Sequence, residues 1–98
     1  MKKLIFLFSL LLSSPALSDI ETDKYAGTCS AYLMISKNAN GANAAMNMAD
    51  NTNRATQFGL NWINQLKRYK DDKTMVTGLV YEASSACRKV GIRPADFK

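Results

Sequence analysis

Apolar positions recur at helical spacing in three stretches of this chain. Tyr25, Cys29, Tyr32, Leu33 and Ser36 fall at i, i+4, i+7, i+8 and i+11, which places them on one side of a helix. Thr22 or Asp23 can cap its start, and Asn38 to Gly41 is rich in turn formers. A first helix is therefore predicted over residues 23–37. The next segment, residues 42–69, carries Ala45, Met48, Ala49, Thr52, Ala55, Gly59, Trp62, Ile63 and Leu66 at the same period, with Phe58 beside them. Its first half is small and lets another helix come close; its second half is large and fills space. Asp50-Asn51-Thr52-Asn53 is its weak point, because these residues favour caps and turns over helix interiors. Asp71-Asp72 opens a third helix, residues 73–90, whose inner face is Val76, Leu79, Val80, Ala83, Ala86, Cys87 and Val90. Gly91 suits the left-handed position that ends a helix, Ile92 can fold back on the last turn, and Pro94 blocks continuation.

These elements make an all-α domain: a small three-helix bundle, or four helices if the long middle segment breaks at 50–53. No alternating stretch argues for a sheet, and no internal repeat or low-complexity segment is present.

The chain before the first helix reads differently. Lys2 and Lys3 precede an apolar run from Leu4 to Leu12, then a polar stretch ends in Ala16-Leu17-Ser18. That is the three-part pattern of a secretory signal cut before Asp19, and its apolar core is far short of the roughly 20 residues that span a bilayer. Residues 1–18 are expected to be a cleaved signal peptide, and residues 19–98 a single helical domain with no transmembrane segment. No cysteine follows the cut, which argues against a lipid anchor. The protein is expected to be periplasmic or secreted.

Export changes the meaning of the two cysteines. In an oxidising compartment Cys29 and Cys87 most simply form one intramolecular disulfide, with an intermolecular bridge or two free thiols as the other readings. So small a domain is near the limit of what a core alone sustains. A bridge between these positions would contribute about 4 kcal/mol in the loop-entropy account.

Without Lys2 and Lys3, eleven basic and eight acidic residues remain, a net charge of +3. The excess lies late in the chain, in Lys67, Arg68, Lys70 and Lys73 and again in Arg88, Lys89 and Arg93. These seven residues are the predicted basic face for a partner, either an acidic protein surface or anionic lipid. The bland account is that cations belong at helix C-termini and anions at N-termini, which describes most of them. Nucleic acid is not an expected partner, since only Tyr69 supplies an aromatic among the basic residues.

Chemistry is scarce. The chain has no histidine, so it lacks the commonest general base, transition-metal ligand and haem ligand. The cysteines are too far apart for a C-x-x-C pair. Ser84 and Ser85 have no lysine at nucleophile-motif spacing, and neither a paired-carboxylate site nor a phosphate loop is visible. No catalytic residue, cofactor or metal ligand is assigned, and the chain is not expected to be an enzyme. Asn43, Asn47 and Asn51 lie four apart and are expected to share a polar helix side, with Asn61 and Asn64 farther along. Met48 is placed in the core by its spacing, whereas Met34, Met46 and Met75 are expected to be partly exposed gap-fillers.

The run GTCSAYL, followed by a second cysteine near the end, is similar to small acid-activated periplasmic chaperones at Thr28, Cys29, Leu33 and Cys87. That resemblance implies an exported helical protein with one disulfide and a stress-chaperone role. With no histidine, an acid switch would have to come from carboxylates. Absent chemistry leaves surfaces as the protein's tool, so the leading expectation is an adaptor, inhibitor or accessory subunit acting on a protein partner. The stress chaperone comes second and a protein bound to anionic membrane surfaces third.

Overall fold

The computed structural model describes residues 17–97. They form four α-helices, α1 Asp19–Ile35, α2 Ala39–Met46, α3 Thr52–Arg68 and α4 Lys73–Lys89, followed by a 3-10 turn at Pro94–Phe97. The predicted all-α bundle takes its four-helix form because the middle segment breaks. Asn51 has an extended backbone, and its side chain accepts the Arg54 N–H at 3.0 Å. An asparagine that could have continued a helix instead caps the next one.

α1 is the central helix. Six consecutive residues, Ala26 to Ala31, are buried, so it is enclosed all round rather than on the single predicted face. Only small side chains permit this. α3 runs parallel to α1 and nearly touches it: a Cβ on Gly27 would run into the Ala55 carbonyl, and one on Gly59 would stand 2.7 Å from the Gly27 carbonyl oxygen. α2 returns along α1, tied by the Ser30 hydroxyl, which donates to the Ala42 carbonyl at 2.9 Å.

α4 is antiparallel to α1 and is fixed at two levels. Near its end Cys87 is joined to Cys29, with Cα atoms 4.8 Å apart. One group of buried residues gathers around that bridge, including Leu33, Ala45, Val90 and Ile92. Nearer its start, the Trp62 indole N–H donates to the Leu79 carbonyl at 2.9 Å. The edge of Tyr32 meets the Trp62 ring at 6.1 Å, and Ala31, Leu79 and Ala83 complete a second buried group.

The end of α4 follows the expected stop. Gly91 has φ 75°, and the buried Ile92 donates its N–H to the Cys87 carbonyl at 2.9 Å. Three expectations need correction. α1 starts at Asp19, not residue 23: Ser18 is its N-cap and forms a reciprocal capping box with Glu21, while Asp23 is buried for another purpose. Met48 is 48% exposed, because the break ends the helical period by which it was counted inward. Thr52 is likewise exposed, in the first turn of α3. The expected signal peptide lies outside the described residues except for Leu17 and Ser18. Its expected cut would separate the N-cap from the helix it caps.

Candidate functional site

Recesses lie on two sides of α1, an apolar groove on one and a pair of hollows of mixed polar and apolar lining on the other. The apolar groove holds about 280 Å³ between α1, α2 and α3. Its floor is the close-packed seam of Gly27, Ala31 and Gly59, and its rims carry Met34, Met46, Leu60 and Ile63. Met34 is 58% and Leu60 48% exposed. Two hydroxyls also line it, but each is engaged on a helix carbonyl: Ser30 with Ala42 and Thr56 with Thr52. The groove therefore presents an apolar surface. It exists because glycine and alanine leave no side chains to fill the space above the seam.

Asp23 sets the position of the α3 wall. Its carboxylate is fully buried. It accepts the Asp50 N–H at 2.7 Å, the Asn51 N–H at 3.0 Å and Arg54 Nε at 2.6 Å. Burial alone would raise its pKa. The Asn51 N–H, the Arg54 side chain and the Asp50 N–H, with the Arg54 charge, outweigh that and hold it below the ordinary 3.8. This carboxylate anchors the start of α3 to α1, one turn before Gly27 meets Ala55.

The predicted basic residues form two patches. Lys67, Arg68, Lys70 and Lys73 surround the turn between α3 and α4, whereas Arg88, Lys89 and Arg93 lie at the other end of α4. Lys73 and Arg88 are separated by about 22 Å of helix at 1.5 Å per residue. The first patch adjoins the apolar groove: Thr56, Leu60, Ile63 and Lys67 follow one another at i+3 or i+4 and share a side of α3. In the second patch Arg93 pairs with Asp96 at 3.6 Å, and Lys89 Nζ stands 5.5 Å from the centre of the Tyr25 ring.

Lys24, Thr28 and Glu82 line both hollows on the other side of α1. One is completed from α3 by Phe58, Asn61, Trp62 and Gln65, the other from α4 by Tyr81, Ser85, Ala86 and Lys89.

The asparagines do not form one continuous side. Asn38 and Asn51 are N-caps and Asn47 closes α2; Asn43 is exposed and Asn61 lines one of the hollows. Among the described residues no group of three or more cysteine or acidic side chains could hold a metal ion, and both cysteines are bonded. No helix among them is long and apolar enough to cross a membrane.

Sequence reasoning missed the groove, the hollows and the Asp23 anchor. The closest available signal was the small-residue spacing Gly27-Ala31 and Ala55-Gly59, which marks two helices able to approach closely. No protein-family model, curated protein or solved structure matches the chain.

Proposed function

We propose that this is an exported interaction protein that seats an amphipathic helix of a partner protein in the groove between α1, α2 and α3. The observation carrying this reading is the exposure of Met34 and Leu60 above a floor of glycine and alanine. From Gly27 to Met34 the groove follows α1 for about 10 Å, two helical turns. A guest helix would fill that length with apolar residues at i, i+3 or i+4, and i+7. Methionine rims adapt to such guests better than branched side chains do. Lys67 continues the groove side of α3, so the fitting guest carries an acidic residue at that end. The second basic patch lies too far away to join the contact.

The test is a photo-crosslinking residue placed at Leu60, with a second placed at exposed Gln57 as control, in the protein expressed in its native envelope. Expected is one protein adduct from position 60, absent from position 57, lost in Met34→Glu, and mapping to an amphipathic helix. Adducts with many proteins, arising only in acid, would replace this reading with the stress chaperone. Adducts confined to lipid would replace it with membrane-surface binding. Recovery of residues 1–18 on the envelope-localised protein would remove the expected signal cleavage.

A further inference from the structure

The rims of the apolar groove carry sulfur atoms that an oxidant can reach. Both cysteines are joined in the disulfide, and the single tryptophan, Trp62, is 2% exposed. Among the described residues a peroxide therefore finds its accessible soft targets in the methionine thioethers. There are four, Met34, Met46, Met48 and Met75. Met34 is 58% exposed, Met48 48% and Met75 38%, and Met46 is half-buried. Met34 on α1 and Met46 on α2 line the groove; the other two do not.

Hydrogen peroxide gives one oxygen atom to a thioether. An S–O bond forms as the O–O bond breaks; the sulfur gives up an electron pair, and the second peroxide oxygen leaves as water. The resulting sulfoxide puts a strong hydrogen-bond acceptor on a side chain that was apolar. In the empty groove, solvent reaches Met34 and satisfies that oxygen, so the fold is little affected. An apolar guest would seal the oxygen from water, and it would then need a donor in the groove. The N–H groups along these helix interiors are already paired. The Ser30 and Thr56 hydroxyls donate to the Ala42 and Thr52 carbonyls, and the other lining side chains carry no donor at all. A buried acceptor left without a partner costs more than a hydrogen bond gains.

We infer that Met34 and Met46 are modification sites: their conversion to sulfoxides closes the groove to its guest, and methionine sulfoxide reductases reopen it. The inference rests on the proposed docking of an amphipathic helix. Met48 and Met75 serve as the internal comparison, open to the same oxidant but outside the groove.

The test uses the full chain with the photo-crosslinker at position 60. The purified protein is treated with dilute hydrogen peroxide, freed of it and returned to untreated envelope extract, so that only this chain is oxidised. Mass spectrometry of its fragments reads which methionines gained an oxygen. Expected are oxygen at Met34, an adduct yield lowered about tenfold, the factor for one unsatisfied buried acceptor, and an unchanged melting temperature. Treatment with the two epimer-specific reductases should restore the yield. Met34→Leu combined with Met46→Leu, measured against its own untreated yield, should no longer respond to peroxide; Met48→Leu combined with Met75→Leu should respond as the parent does. An adduct undiminished by sulfoxide at Met34 would overturn this inference and leave the docking reading standing. So would a Met34 that stays unoxidised while Met48 and Met75 react, an equal response in the groove double variant, or a fall in yield matched by a fall in melting temperature. Absence of the adduct before any oxidation would overturn the docking reading and this inference with it.

Discussion

The Asp23 carboxylate, fully buried, accepts Arg54 Nε at 2.6 Å and at the same time two backbone N–H groups from the turn before α3. One side chain thereby satisfies the charge of Arg54 and the donors left open at a helix start, and it joins residues 27 to 31 positions apart. Removing it leaves both N–H groups without their partner and Arg54 with only the longer contact to Asp50, at 3.9 Å.

Acid should loosen this anchor in a defined direction. The folded-state pKa of Asp23 lies below 3.8, so folding favours the ionised carboxylate. Its contribution is complete above the unfolded value and is lost as the pH falls through the lower folded value. Asp23→Asn is expected to melt below the parent protein at neutral pH, and the gap should narrow in acid well under pH 3.8. Thermal denaturation followed by circular dichroism at both acidities measures it; a gap that widens in acid would refute the account.

Glycine should matter by position. Gly27→Ala drives a methyl group into the Ala55 backbone and is expected to cost about 1–3 kcal/mol through overpacking. Gly78 lies in α4 with nothing within 4 Å of an added Cβ, so Gly78→Ala should gain about 0.5–1 kcal/mol. Urea unfolding of the two variants tests the opposite signs.

Replacing both cysteines by serine should remove about 4 kcal/mol on the loop-entropy account, for a sequence separation of 58. The midpoint of urea unfolding should fall accordingly, and adding a reductant to the parent protein should bring it to the same place.

Trp62→Phe keeps most of the packing and removes the indole N–H bonded to Leu79. A loss of about 1 kcal/mol is expected for one such hydrogen bond. Met34→Glu, by contrast, alters a groove rim residue that is 58% exposed and should leave the melting temperature almost unchanged while abolishing the crosslinks from position 60.

Much of the architecture was legible because local rules agreed with the final packing. The last helix, its stop at Gly91 and the inward turn of Ile92 follow from periodicity and chain stereochemistry alone. Asn51 was visible as a weak point in a long helix, but its change into a cap depended on Asp23 approaching from another element. Met48 illustrates the same limit: a helical count carried across a break sends the side chain to the wrong side. Of the candidate site, the basic residues were legible as charges. Their division into two clusters was legible too, at opposite ends of the helix predicted over 73–90, and it is the joining of all seven into one face that the straight helix Lys73–Lys89 rules out. The groove and the hollows arise from which helices meet and which diverge, and no single stretch of sequence encodes that.

The bridge between Cys29 and Cys87 closes the chain into a covalent ring that contains all of α2 and α3. A protease that nicks the turns at 36–38, 47–51 or 69–72 opens the ring without releasing a fragment. Both pieces stay tethered through α1 and α4, still packed on the central helix. For a protein that would work among secreted enzymes, this makes a single hydrolysed peptide bond a tolerable injury, and separation into parts requires either a second cut or reduction.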